Sequence, residues 1–273
     1  MIIRMLVENE SGNPACSAAH GLSLWIETEG RFILFDFGPE GMLRGNAAAL
    51  GVDLSDADVA ILSHGHYDHG GDLRCFLEAN RKASVYARPL AFQRHLSLRS
   101  DGPHDIGLDP SLAHHPRIVE TGDVHRIDAK LMLFATPGRL RGEPSGNATL
   151  RIGSPSGPIR DDFEHEQSLL VTAEGKTILV AGCAHAGILN ILDRAAGLGF
   201  PRIDHVIGGF HLFSHGTGVS EPAPVILKLG ESLRMTGAVF HTCHCTGIGP
   251  YGILKSVLGD RIDYMKTGTA LTL

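Results

Sequence analysis

The sequence has no long apolar run. Although 43% of its 273 residues are hydrophobic, no stretch approaches the roughly 20 consecutive apolar residues that a membrane-spanning helix needs. The N-terminal segment MIIRMLVENESG turns polar too soon for the apolar core of a secretory signal. We therefore expect a single globular domain, residues 1–273, that is cytoplasmic and has no membrane as a partner.

Positive charge is also in short supply. The formal net charge is -6, and the 24 lysines and arginines are scattered rather than grouped in a basic stripe. A polymeric nucleic acid is therefore excluded as an expected partner. A small phosphorylated substrate is compatible with this balance, and so is a homo-oligomer.

The cysteine content does not predict a disulfide framework. There are five cysteines, an odd number, and three of them, Cys183, Cys243 and Cys245, lie beside histidines. In a cytoplasmic chain this pattern favours free thiols or metal chemistry.

Strands and helices alternate along both halves of the chain. Apolar and β-branched runs predict strands at 1–7, 22–28, 31–37, 58–62, 168–172, 177–181, 205–207 and 238–241. Helical periodicity and turn residues predict helices at 47–50, 73–80, 187–196, 221–235 and 251–258. Segments 97–117 and 136–165 are rich in Gly, Pro and Ser and read as long loops, of the kind that form lids or binding segments. The order of elements predicts an α/β sandwich of two sheets with helices on both outer faces.

Segment 63–70, SHGHYDHG, holds three histidines and an aspartate directly after a predicted strand. Residues i and i+2 of an extended loop point the same way, so His64 and His66 can serve one cation. Asp68 and His69 then face a second cation. The alternative is that the segment is only polar surface.

Two later strand ends offer further ligands. His185 opens a predicted helix after the strand 177–181, and His244 follows the strand 238–241. Either histidine could instead be a hydrogen-bonded structural residue. Cys183 is a candidate metal ligand because a thiolate binds zinc, and its alternative role is a small buried thiol.

Four other residues are expected at the substrate. His211 closes a predicted strand, and we expect it, together with Asp68, to be catalytic, as a proton donor or a substrate contact. His20 is expected to bind substrate, with a surface position as the alternative. Thr246 and Gly247 precede a helix whose N-terminal amides suit a phosphate or a carboxylate, although such entries often serve only as turns.

The string His-x-His-x-Asp-His resembles the signature of the metallo-β-lactamase superfamily. The preceding ILFDFG resembles that superfamily's strand-Asp-x-Gly element. The resemblance implies a four-layer αββα sandwich and two divalent metal ions, with zinc first and iron or manganese as alternatives. It also implies that Asp36 orients the metal loop, and that Cys183 stands where many members carry a bridging aspartate.

One motif of the superfamily is incomplete. Many members have Thr-Pro-Gly-His, whose histidine completes the first metal site, whereas here Thr136-Pro137-Gly138 is followed by Arg139. Arginine does not bind cations. Either the first site is short of a ligand, or the ligand comes from elsewhere, and segment 161–166, DDFEHE, is one candidate.

Several segments are similar to one branch of the superfamily, the 7,8-dihydropterin-6-methyl-4-(β-D-ribofuranosyl)aminobenzene-5'-phosphate synthases. They are LVEN, HGLSL, SHGHYDHGG, DDFEHEQSLLV, GCAHAGILNI, IGGFHL and HCTG. The chain departs from this branch at His165, where an acidic residue is expected. The resemblance implies transfer of a dihydropterin-methyl group to an aminobenzene ribosyl phosphate.

Three functions are therefore compatible with the sequence. The first is a binuclear metal-dependent enzyme acting on a phosphorylated small molecule, by transfer or by hydrolysis. The second is a metal-dependent hydrolase of a phosphodiester, a thioester or a lactone. The third is a metal-binding sensor without turnover, against which the intact His-x-His-x-Asp-His string argues.

Overall fold

Two seven-stranded sheets face each other at the centre of the molecule. The computed structural model describes residues 1–273, and elements are numbered in chain order. The first sheet has the order β20 (Ala270–Thr272), β1 (Ile2–Val7), β2 (Ser23–Thr28), β3 (Arg31–Phe35), β4 (Val59–Ile61), β5 (Ser84–Ala87), β8 (Ile118–Glu120). The second has the order β19 (Ile262–Tyr264), β18 (Val239–Thr242), β15 (His205–Gly208), β14 (Lys176–Val180), β13 (Ser168–Ala173), β10 (Leu131–Phe134), β9 (Val124–Arg126).

Each sheet combines an antiparallel hairpin with a parallel run. Strands β2 and β3 pair antiparallel, and β3, β4 and β5 then run parallel. Strands β13 and β14 repeat the hairpin, followed by parallel β15, β18 and β19. Both hairpins turn at a Glu-Gly pair with positive φ at both residues, 46° and 77° at Glu29-Gly30 and 52° and 74° at Glu174-Gly175, which suits the twist of the strands. The carboxyl ends of the parallel strands share one edge of the sandwich, where the predicted ligands lie.

Successive residues along each strand face two different apolar cores. Ile33 and Phe35 of β3 pack between the sheets, together with Ile178 and Val180 of β14. Leu34, between the first two, faces outward toward α1 (Leu43–Ala49) and α3 (Leu73–Ala79), which cover the first sheet beside the short α2 (Tyr67–Gly70). The second sheet is covered by α4 (Ile188–Gly197), α5 (Ala223–Thr236) and α6 (Ile248–Leu258). The layers are thus helix, sheet, sheet, helix, which confirms the expected αββα sandwich.

The expectation of long loops at 97–117 and 136–165 is wrong in part, because short strands interrupt both segments. These regions contribute to a four-stranded sheet in the order β12 (Ile159–Arg160), β11 (Leu150–Ile152), β6 (His95–Arg99), β7 (Gly102–Asp105). Its two central strands, β6 and β11, are some fifty residues apart in the sequence, with Leu150 opposite Ser97. Local periodicity therefore does not predict that they pair. A two-stranded hairpin, β16 (Phe213–Ser214) and β17 (Val219–Ser220), completes the strands. We call the four-stranded unit the small sheet.

The predicted helices are present with shifted starts. Helix α1 begins at Leu43, before the expected 47, and α6 begins at Ile248 rather than 251, so that Pro250 lies in its first turn as expected. None of the helices combines the length and the hydropathy that crossing a membrane requires.

Candidate metal centre

The histidine loop leaves β4 and enters α2, and Asp36 fixes both ends of it. Asp36 follows β3 with φ of 59°. Its carboxylate accepts from the Ser63 amide and hydroxyl, both at 2.7 Å, and from Nδ1 of His69 at 2.6 Å. The prediction that Asp36 orients the metal loop accords with these contacts.

Four buried imidazoles have the same arrangement, with Nδ1 hydrogen-bonded to an oxygen acceptor and Nε2 left free of protons in the neutral ring. The acceptors are Ser63 Oγ for His64 (2.9 Å), Asp36 Oδ2 for His69 (2.6 Å), Asn147 Oδ1 for His185 (3.0 Å) and Asn9 Oδ1 for His244 (2.8 Å). Ser63 is able to accept because its own proton goes to Asp36. Such outer partners typically set the tautomer of metal-binding histidines.

The free nitrogens converge on Cys183. Ligand atoms of His64, Cys183 and His185 lie within 4.8 Å of one another, as do those of His69, Cys183 and His244. Nε2 of His69 is 3.2 Å from both Cys183 Sγ and His244 Nε2. Tetrahedral zinc with bonds near 2.0–2.3 Å separates its ligand atoms by about 3.3–3.7 Å, so these spacings suit a cation. Cys183 belongs to both clusters, as a bridging ligand must.

His66 and Asp68 adjoin the two clusters. Nδ1 of His66 is 3.1 Å from Nε2 of His64, while Nε2 of His66 is buried without a hydrogen-bond partner. Asp68 Oδ2 lies 3.3 Å from His244 Nε2 and 3.2 Å from His20 Nε2. The loop spacing predicts His64 with His66 at one cation and Asp68 with His69 at the other, and this assignment stays a prediction. In the structure, His64 groups with Cys183 and His185, and Asp68 Oδ2 lies 3.8 Å from His69 Nε2.

The electrostatics favour neutral imidazole at the first cluster. Burial, reinforced by the neighbouring rings, lowers the pKa of His64 and His185 well below the usual value. Burial acts against the charged form of His69 as well, but Asp36 and Asp68 outweigh it and raise the pKa of His69 to about 9. A cation at the second cluster therefore displaces a proton from His69.

His185 is a candidate for the ligand that Arg139 cannot supply, because it lies beside His64 and Cys183. Its Nε2 is buried without a partner, and its ring is 4.9 Å from that of His64. Arg139 points away from the cation ligands, donating to the carbonyl of Asp162 and lying over the ring of Phe163. Phe163 in turn stacks on His185 at 4.4 Å. Phe163 of segment 161–166 therefore packs against His185, and His185 belongs to the first cluster with His64 and Cys183.

A third group, His66, His95, Asp161 and His165, has the composition of a metal site. However, the Gly65 amide donates to Nδ1 of His165 at 2.9 Å, so the ring proton is on Nε2 and bonds to Asp161 at 3.1 Å. A protonated nitrogen cannot bind a cation. The histidine at position 165 thus supports the metal loop through Gly65.

The four residues expected at the substrate differ in position. His211 lines the cleft over Cys183, and both of its ring nitrogens are buried without partners. His20 also lines this cleft, stacked on His215 at 3.9 Å.

Thr246 and Gly247 do not face the cleft in the same way. Thr246 is fully buried, and its hydroxyl is bonded to the Phe210 amide at 2.9 Å and to Thr242. At Gly247 a side chain would meet Phe213 at 2.7 Å, so this helix start is packed rather than open.

Apart from Asp36, the residues that hydrogen-bond to the candidate ligands were not predicted from the sequence. Asn9 and Asn147 each bond the ring and the carbonyl of one histidine, His244 and His185 respectively. Glu166 accepts from the amides of His185 and Ala186, and burial raises its pKa to about 7. The segments LVEN and DDFEHEQ contain two of these residues, whereas nothing local marks Asn147.

Known proteins share this fold. A synthase of Methanocaldococcus jannaschii, named 7,8-dihydropterin-6-methyl-4-(beta-D-ribofuranosyl)-aminobenzene-5'-phosphate synthase, is 27% identical over 97% of this chain and 94% of its own. A solved structure described as a metal-dependent hydrolase of the beta-lactamase superfamily is 27% identical, covers 100% of this chain and 99% of its own, and superposes with a TM-score of 0.84. Zinc-bound PqqB from Methylobacterium extorquens, 16% identical with both chains covered fully, has the same fold at a TM-score of 0.55. The family model of the metallo-beta-lactamase superfamily matches residues 18–207, more than half of the sequence, and the chain belongs to that superfamily.

Proposed function

We propose that this protein is a binuclear metal-dependent enzyme acting on a phosphorylated small molecule. The observation that carries the proposal is the position of Cys183, shared by the His64–His185 cluster and the His69–His244 cluster. The donor set of imidazoles, one thiol and Asp68 suits zinc first, with iron as an alternative and manganese less suited to the thiol.

Two bound cations would polarise phosphoryl oxygens and stabilise the charge of a leaving group. The chain's own groups would complete the chemistry. His211 has two unpartnered ring nitrogens at the cleft, so it is free to donate or accept a proton there. Asp68 is held ionised, because His69, His20 and His244 keep its pKa well below the usual value despite its burial. Asp68 would thus bind a cation and orient His20.

The reaction is either transfer or hydrolysis. The relative from Methanocaldococcus jannaschii is named a synthase, which supports transfer of a dihydropterin-methyl group to an aminobenzene ribosyl phosphate. The solved structure of equal identity is described as a metal-dependent hydrolase, which supports hydrolysis, and a phosphodiester, a thioester or a lactone is the proposed substrate in that case. A sensor without turnover is the least supported reading, because His64, His66, Asp68 and His69 of the signature string are all present.

Metal content tests the binuclear part of the proposal. Protein purified without chelator should hold close to two equivalents of divalent metal per chain by elemental analysis. Less than one equivalent would refute a binuclear centre. His66→Ala should abolish turnover while the circular dichroism spectrum is retained, and His114→Ala, at an exposed position, should leave activity unchanged.

The substrate is tested by product analysis. The protein is incubated with a dihydropterin-methyl diphosphate, with and without the aminobenzene ribosyl phosphate, and separately with phosphodiesters, thioesters and lactones. A product that joins pterin and acceptor indicates transfer, and release without acceptor indicates hydrolysis. Inactivity toward all of these compounds at full metal loading would contradict the proposal.

A further inference from the structure

The metal clusters open into a cleft that the small sheet closes on one side. Ser97 and Arg99 of β6 and Leu150 of β11 line this side. Asp68, Cys183, His211 and His244 line the opposite side. The small sheet therefore contributes directly to whatever molecule reaches the cations.

Arg99 is the one lysine or arginine in the lining of this cleft. Its Nε is buried and has no hydrogen-bond partner. The other arginines in the small sheet or next to it have partners, Arg94 in Asp105, Arg151 in the carbonyls of Ala148 and Leu150, and Arg160 in Glu143. A buried donor without an acceptor costs free energy that a bound acceptor recovers.

The lining of the cleft supplies no free carboxylate for Arg99. Asp68 is the one carboxylate in the lining, and it is already engaged by His20 and His244. Asp101, whose pKa is lowered by its hydrogen bond to His104 and to a smaller extent by Arg99, lies outside the lining and accepts from His104 at 2.8 Å. An anionic group on a ligand would therefore meet Arg99 at the cleft with both neighbouring carboxylates already engaged. The planar guanidinium matches the oxygens of a phosphate or a carboxylate, with which it forms paired hydrogen bonds.

We infer that the substrate carries a second anionic group, a phosphate or a carboxylate, which Arg99 binds while the reacting group lies at the cations. This inference rests on the proposed function, because it assumes that the reacting group is bound at the two clusters. It deepens that proposal by making the substrate an anion at two separated positions, with Arg99 as the residue that selects it.

A matched pair of phosphonates tests the inference. Propylphosphonate and 3-phosphonopropionate both have a stable phosphonate for the cations, and only the second adds a carboxylate. Affinities are measured by calorimetry on zinc-loaded protein with its metal content determined beforehand. The wild type should bind 3-phosphonopropionate at least about tenfold more tightly, as expected for hydrogen bonds to a charged group.

The variants assign that difference to one side chain. Arg99→Gln should bind both phosphonates equally, and Arg99→Lys should keep part of the preference. Arg94→Gln, directly before the same strand but exposed and ion-paired, should behave as the wild type. Propane-1,3-diphosphonate distinguishes the two anions, since tighter binding than that of 3-phosphonopropionate indicates a phosphate.

Two results would overturn the inference while leaving the proposed function intact. One is equal binding of the two phosphonates by the wild type, and the other is a preference that survives in Arg99→Gln. Loss of zinc from Arg99→Gln would also overturn it, because Arg99 would then support the centre rather than the ligand. A wild type that holds less than one metal equivalent, or that binds neither phosphonate, would refute the proposed function itself.

Discussion

Among the side chains of the metal centre, Cys183 has the most constrained environment. It is almost fully buried and belongs to both clusters. Burial, together with the neighbouring Cys245, raises the pKa of the Cys183 thiol well above its usual value. The thiolate that a metal ligand requires is therefore unfavourable without cations, so metal binding and deprotonation of Cys183 are coupled.

Replacement of Cys183 should show whether its thiol bridges two cations or only packs beneath the site. Cys183→Ala removes a ligand from both clusters, so metal affinity should fall by more than the roughly 10–100-fold that loss of a supporting residue costs. Cys183→Asp supplies a bridging carboxylate and should retain two equivalents. In cobalt-substituted protein the thiolate-to-metal absorption of the wild type should be absent from both variants.

The matched control for this replacement is Cys75→Ala. Cys75 is a partly exposed thiol on α3, and its loss should change neither metal content nor spectrum. Two tightly bound equivalents in Cys183→Ala would show that Cys183 is only a buried thiol beneath the site.

At the scale of elements, local features were predictable from the sequence and distant pairings were not. The Glu29-Gly30 and Glu174-Gly175 hairpins join residues that are neighbours in the chain, so pattern and turn chemistry suffice. The small sheet depends on Ser97 meeting Leu150. The segments that form it are short and contain glycine and proline, which local propensity assigns to loops.

The metal centre shows the same difference between residues that are close in the sequence and residues that are distant in it. The string from His64 to His69 is contiguous, and strand ends pointed to His185 and His244. The supporting residues are distant in sequence from what they hold, with Asn9 separated from His244 by 235 residues. Sequence spacing carries no information about such contacts in a single chain.

The loop between β4 and α2 has no room for a side chain at its centre. A Cβ at Gly65 would lie 2.2 Å from the Ala91 carbonyl oxygen and 2.7 Å from Nε2 of His95. Gly65→Ala should therefore displace the segment that carries His64 and His66. We expect a loss of about 1–3 kcal/mol in the free energy of unfolding, as for other overpacked sites, and a lower metal content.

Gly45→Ala is the control for this substitution. Gly45 lies within α1 on the surface, and a Cβ there meets no atom within 4 Å. Alanine should stabilise this helix by about 0.5–1 kcal/mol. Urea unfolding of the two variants measures both effects, and a Gly65→Ala protein with wild-type stability and metal content would show that the loop has freedom to move.

At the scale of the whole molecule, the candidate ligands come from both sheets. His64, His66 and His69 follow β4 of the first sheet, Cys183 and His185 follow β14 of the second, and His244 follows β18. Cations at the shared edge would therefore connect the two halves in addition to the apolar layer between them. Removal of the cations should weaken the whole sandwich rather than one loop.

Two spectroscopic probes can follow the halves separately during thermal unfolding. The single tryptophan, Trp25, lies on β2 and packs against the helix layer of the first sheet. The three longest helices, α4, α5 and α6, cover the second sheet and dominate the far-ultraviolet circular dichroism.

With free zinc at 100 times its dissociation constant, each site should add about 2.7 kcal/mol of stability over chelated protein. Tryptophan fluorescence and circular dichroism should then show the same upward shift of the melting temperature, and Cys183→Ala should show a much smaller one. A shift seen by one probe alone would mean that the cations stabilise one sheet and do not join the two.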